Sequence, residues 1–245
     1  MLRYISKSIT VLLTALVVGG CSGTAQTVKE NSKAEYHGLY TPSNPASVQK
    51  ALNTNHPDYD WGLWGHNLGK IIQDDATDDM YAMVDGKRNK KQLCFSSDDL
   101  YKAVRSYIID QYGYGTDEYS ERISIMPMDN KMACTCAKCR AKGNTNTNAT
   151  PAVSYFVSRL ANEFPKHNFY TSAYHTTKAV PAKPLPQNVG VFISSVSMQM
   201  RIDFSNAKGY TEFVSMVKEW KKKCDRILVW DYERNFDDYL SPFPC

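Results

Sequence analysis

Beyond its N-terminal segment the chain lacks any apolar run long enough to cross a bilayer, so no helical span is expected in its body. It also lacks a dominant charge. Lysine and arginine number 29 against 25 acidic residues, a formal net charge of +4, with no basic stripe; nucleic acid is therefore not the expected partner. The one basic run, Lys221-Lys222-Lys223, falls where a helix is predicted to end and complements its dipole. No internal repeat recurs along the chain. Apolar residues at 42% and charged residues at 22% are ordinary for a globular chain that buries one sizeable core.

What is present begins at the N-terminus. Arg3 and Lys7 precede an apolar stretch over 9–18, too short to span as a helix, which runs into Val18-Gly19-Gly20-Cys21. Small residues directly before a cysteine resemble a bacterial lipobox, in which that cysteine is acylated and becomes the new N-terminus. The alternative is an ordinary signal peptide that happens to end at a cysteine. On the lipobox reading, residues 1–20 are a leader, Cys21 carries the lipid, and a polar tether with a turn-rich segment occupies 21–60. The body, 61–245, then works in the cell envelope as a membrane-anchored lipoprotein facing the periplasm or the exterior. Loss of Arg3 and Lys7 would bring the charge near +2.

From Trp61 onward the pattern is regular. Residues 61–64 read as a short apolar strand. Ser97 caps a helix predicted over 96–112, with Leu100, Val104, Tyr107, Ile108 and Tyr112 at helical spacing. Strands are predicted at 122–126, 168–173, 188–193 and 226–230, helices at 151–164 and 210–223, and a short helix at 46–52. Pro151 suits a first helical turn. A polar loop (143–150) and a proline-rich connection (180–186) interrupt the pattern. Alternating strands and helices predict an α/β fold of parallel βα units. With about five strands, where a full eight-stranded barrel takes about 250 residues, the expectation is a TIM-barrel-like fold that is incomplete or truncated.

The predicted strands end in chemically capable residues: Gly65-His66-Asn67, Pro127-Met128-Asp129-Asn130, Ala173-Tyr174-His175 and Trp230-Asp231-Tyr232-Glu233. Parallel βα folds bind ligands at the carboxyl ends of their strands, where such residues converge. Asp129 and Asp231 are the expected catalytic pair, one protonating a leaving oxygen while the other attacks or activates water. Each carboxylate could instead cap a loop or pair with an arginine. Trp64, Trp230 and Tyr232 could stack on a sugar face, or could be core residues.

Cys134, Cys136 and Cys139 crowd three thiols into six residues, with Cys94 upstream. Four thiolates suit a tetrahedral structural zinc site. Export favours disulfides instead, although Cys-X-Cys is awkward for a single bridge. A thioredoxin-like role for Cys136 and Cys139 is disfavoured, because they do not sit at a strand-to-helix start.

The ordered motifs Trp61-Gly62-Leu63-Trp64-Gly65-His66-Asn67, Val84-Asp85-Gly86-Lys87-Arg88, Gln92-Leu93-Cys94 and Asp129-Asn130 ahead of the cysteine triplet resemble the family called domain of unknown function 4838. Phe164-Pro165, Ala173-Tyr174, Trp230-Asp231-Tyr232, Asn235-Phe236 and the Tyr239-Leu240 to Phe243-Pro244 segment extend the resemblance over roughly 61–244. It implies an exported bacterial protein with a barrel similar to glycoside hydrolases. It implies a glycan or oligosaccharide partner, and a pocket of His66, Asn67, Asp129, Tyr174, Asp231 and Asn235. Members are expected to continue into further βα units, and many to carry a preceding α/β domain.

Overall fold

The computed structural model describes residues 2–5, 36–38, 47, 51, 54–72, 76–196 and 209–231. Of the short helix expected at 46–52, only residues 47 and 51 are described, and both are helical. In chain order the elements are β1 (Leu2–Ile5), β2 (His37–Gly38), α1 (Pro57–Asp60), β3 (Tyr81–Val84), β4 (Lys87–Leu93), α2 (Asp98–Tyr112), β5 (Arg122–Ser124), α3 (Ala137–Ala141), α4 (Thr150–Glu163), β6 (Asn168–Ala173), β7 (Val189–Ser194), α5 (Tyr210–Lys221) and β8 (Arg226–Trp230). Three 3-10 turns lie at Leu68–Ile72, Asp78–Met80 and His175–Thr177.

The fold is mixed α/β, and its centre is a parallel sheet of β5, β6, β7 and β8 in that spatial order. The strand expected at Trp61 to Trp64 is reduced to one parallel bridge, Leu63 to Ile123. It is held by Gly62 N–H to Arg122 C=O (3.1 Å) and Ser124 N–H to Leu63 C=O (2.8 Å). On the other side β1 pairs antiparallel with β8, and β2 with β1. β1 comes from the stretch read as the start of the export leader; residues 6–35, Cys21 among them, lie outside the described residues.

Strand alternation sorts the side chains onto two faces. On one face Ile123, Ile125, Phe169 and Val189 pack with the apolar stripes of α2 (Leu100, Val104, Ile108) and α4 (Val153, Phe156, Val157, Leu160). Ala173, Val191, Ile193 and Ile227 of that face pack with Trp220 of α5 and with Cys224. The other face carries Tyr170, Phe192 and Leu228, packed with Trp61, Trp64, Tyr36 and Met126 in a second, aromatic core. Helices thus cover one side, and aromatic rings fill the other.

Local chemistry explains the element boundaries. Ser97 caps α2, its Oγ accepting from the Leu100 N–H at 3.1 Å, an arrangement worth ~1 kcal/mol. The polar 143–150 loop supplies the start of α4. Asn148 Oδ1 accepts from Thr150 N–H and Asn144 Oδ1 from Ala152 N–H, both at 3.0 Å, with Pro151 in the first turn. Between β3 and β4, Asp85 (φ 49°) and Gly86 (φ 77°) both take the left-handed region that a two-residue hairpin turn requires.

Candidate functional site

A small, open cleft lies at the carboxyl ends of β6, β7 and β8. His66, Met126, Asp129, Ser172, Tyr174, Phe192, Ser194 and Trp230 line it. Ser172 and Tyr174, Phe192 and Ser194, and Trp230 have the same parity as the aromatic core, so the cleft is the open upper end of that face. Trp64 lies beneath. It is 8% exposed and stacks on Trp230 with centroids 5.1 Å apart and planes 15° apart. Trp64 therefore supports the cleft from the core, and Trp230 meets its contents.

His66 follows Gly65, which turns the chain at φ 64°. Its Nδ1 lies 2.6 Å from the Pro127 carbonyl, an acceptor, so Nδ1 carries the hydrogen and Nε2 is the atom left for a ligand. Asn67 turns back, donating from Nδ2 to the Trp64 carbonyl at 2.6 Å.

Asp129 is held through its neighbours. Gln92, 2% exposed at the end of β4, accepts from Met128 N–H (3.0 Å) and donates to Met128 C=O (3.2 Å) and Asn130 Oδ1 (3.0 Å). Asn130 donates in turn to the Lys91 carbonyl at 2.7 Å. Both residues flanking Asp129 are thus tied to β4, while its own carboxylate, 63% exposed, projects into the cleft. His175, in a left-handed conformation (φ 47°), stacks against Tyr174 at 3.7 Å between centroids and places Nε2 3.7 Å from Asp129 Oδ1. Burial pushes the His175 imidazole below its usual value, outweighing the pull of Asp129; Lys131, His66 and Lys178 add to the depression. Burial thus favours the neutral form of the His175 ring beside Asp129.

Of the residues expected from sequence, the structure brings His66, Asp129 and Tyr174 together in the cleft. Asp231, the expected partner of Asp129, is not among the lining residues. It follows Trp230 with the opposite parity, and its Oδ1 accepts from Ser195 Oγ at 2.7 Å. Ser195 is likewise one residue past the lining Ser194, and its N–H bonds the Trp230 carbonyl at 3.0 Å, so Ser195 and Asp231 fasten the ends of β7 and β8. Tyr232 and Asn235 lie outside the described residues. Ser172 and Ser194 join the cleft without having been assigned a role from sequence, while His175 stands beside Asp129 and Gln92 lies behind it. Strand parity with Tyr174 and Trp230 is the signal that marks the two serines.

Four cysteines form a separate cluster. Cys94, Cys134 and Cys139 are buried and Cys136 half-buried, and all four Sγ atoms lie within 4.8 Å of one another. Such a cluster is compatible with a bound metal or with disulfides. Cys134 Sγ accepts from the Met83 N–H at 3.2 Å. Hydrogen bonds from Cys139 and Cys94 lower the Cys134 thiol from its ordinary value.

The fold and cleft define a parallel βα protein with an open site at its strand ends, floored by aromatic rings and rimmed by hydroxyl, imidazole and carboxyl groups. The chain belongs to the family described as domain of unknown function (DUF4838), whose model matches residues 23–245. No curated protein and no solved structure matches it.

Proposed function

We propose that the protein is a glycoside hydrolase of the cell envelope, acting on a polysaccharide or glycan with Asp129 as its acid/base carboxylate. The observation that carries this reading is the composition of the cleft. A sugar ring has an apolar C–H face and a hydroxyl rim, and the cleft offers Trp230 and Tyr174 for the first and Asp129, His66, Ser172 and Ser194 for the second. On this reading the four parallel strands are part of a TIM-like barrel, and the four cysteines are a structural centre outside the chemistry. Two carboxyl groups are needed for hydrolysis, and Asp231 is engaged by Ser195. The second group is therefore sought by substitution at both Asp231 and Glu233.

The test is reducing-end release from a glycan panel by the purified mature chain. Asp129→Asn is expected to lower turnover by about 10²–10⁴-fold while leaving the melting transition in place, because that side chain is largely exposed. Asp231→Asn and Glu233→Gln, assayed alongside, identify the partner as the one giving a comparable loss.

One observation favours a second reading, a non-catalytic glycan-binding lipoprotein: Asp129 is the single carboxylate lining the cleft among the described residues. Binding on a glycan array without turnover supports that reading. Neither binding nor turnover overturns both.

The envelope location rests on the leader and Cys21. Cys21→Ser is expected to abolish metabolic labelling by a fatty acid and to move the protein from the membrane to the soluble fraction. Retention of label on the variant would remove this part of the proposal.

A further inference from the structure

We infer that Cys94, Cys134, Cys136 and Cys139 bind one Zn²⁺ ion, and that this centre holds in place the segment that presents Asp129. The argument begins with the sulfur positions. A tetrahedral thiolate site with Zn–S of about 2.3 Å has sulfurs about 3.8 Å apart along each edge. Cys94 Sγ lies 3.7 Å from Cys136 Sγ and 3.8 Å from Cys139 Sγ, and every pair of the four falls within 4.8 Å. Two disulfides would draw the sulfurs into two short pairs. Here Cys94 stands almost equally far from two candidates, and the geometry selects no partner for it.

The surroundings suit a charged metal centre. Four thiolates around Zn²⁺ carry a net charge of −2, and the Arg88 guanidinium sits beside Cys94 and Cys136. The Met83 N–H points at Cys134 Sγ, and Ser96 Oγ lies 3.2 Å from Cys139 Sγ. Such outer contacts orient thiolate ligands and moderate their charge. Loading involves no redox step: each thiol gives up its proton as its sulfur takes a place on the metal.

The placement gives the centre its consequence. Cys94 directly follows Gln92-Leu93, and Gln92 grips Met128 and Asn130. Cys134 closes the same segment four residues beyond Asn130, and Asn144 ties the Cys134 carbonyl (3.1 Å) to the start of α4. Residues 128–134 are thus pinned by Gln92 at one end and by the centre at the other. This holds whatever ligand the cleft takes.

The test is elemental analysis and intact mass of the full mature chain, purified without added metal or chelator. One zinc per chain is expected, with Cys94→Ser and Cys139→Ser abolishing it. Cobalt substituted for zinc should give thiolate-to-metal charge-transfer absorption. Because these variants could fail to fold, hydrogen exchange is compared on the wild-type chain before and after zinc is released by a thiol-reactive mercurial. Exchange is expected to rise roughly tenfold or more in 128–134 while β6 and β7 stay protected. A metal-free chain whose mass shows two disulfides, or one that carries iron, overturns the zinc assignment. A uniform rise in exchange overturns the positioning role.

Discussion

Trp220→Ala is expected to be among the most destabilising single changes in the molecule, costing about 3–5 kcal/mol. Trp220 is 1% exposed and is the buried side chain by which α5 rests on the sheet, packed with Ala173, Val191, Ile193 and Ile227. Deleting the indole removes its transfer energy and leaves a cavity that strands already paired on both sides cannot close. The indole also donates from Nε1 to the Lys178 carbonyl at 3.1 Å, just after the turn that carries His175. Denaturant titration and thermal melting measure the cost, and a shift of about 2–4 °C per kcal/mol is expected for a chain of this size. Trp220→Phe keeps most of the packing but loses the donor and part of the ring volume, so a smaller cost of about 1–3 kcal/mol is expected. A Trp220→Ala chain that melts within 2 °C or so of wild type would mean that α5 does not hold the sheet as described.

Gly190→Ala is also expected to destabilise the chain, for the opposite reason. Gly190 stands directly across from Tyr170 in the β6–β7 register, and the Tyr170 ring lies over it. A methyl group at 190 would sit 2.4 Å from one ring carbon of Tyr170 and 3.2 Å from Arg226 Cβ. The ring has nowhere to retreat, since Trp61 and Phe192 pack on it at centroid distances of 4.7 and 5.7 Å. Overpacking of this kind costs about 1–3 kcal/mol and sometimes more. The Tyr170 ring makes the two shortest contacts, so Tyr170→Leu should relieve most of the clash, and a double-mutant cycle over the two positions should return a favourable coupling of about 1 kcal/mol or more. Additive effects would place the strain elsewhere.

Much of this architecture was legible in the residues. The strands at 168–173 and 226–230 and the capped helix after Ser97 follow from local signals, namely alternation, 3.6-residue spacing and a side-chain cap. The parallel order then follows from alternating elements. The β3–β4 hairpin was also readable in principle, because Asp85-Gly86 between two short runs is its turn signal. Its longer strand, Lys87–Leu93, is mostly charged and masks the period. The site was legible as a place more than as a set of partners. Strand ends located His66, Asp129 and Tyr174. No local pattern says that Gln92 reaches 36 residues ahead to hold Met128. Nor could spacing tell that Asp231 meets Ser195, since that contact depends on how the ends of β7 and β8 are staggered. Trp64 and Trp230 look alike in sequence, yet the first is core and the second lines the cleft, a distinction set by depth along the same face.

The stacked pair Trp64 and Trp230 has an optical consequence. Two indoles 5.1 Å apart and within 15° of parallel couple their electronic transitions, and one of the two forms the cleft wall. Of the four tryptophans in the chain, Trp61 adjoins the pair and Trp220 is remote on the helix-covered face. The near-ultraviolet circular dichroism and emission of the unlabelled protein therefore carry a signal weighted towards the cleft. Any ring that settles on Trp230 perturbs an absorber already coupled to the core, so the protein reports its own occupancy in light.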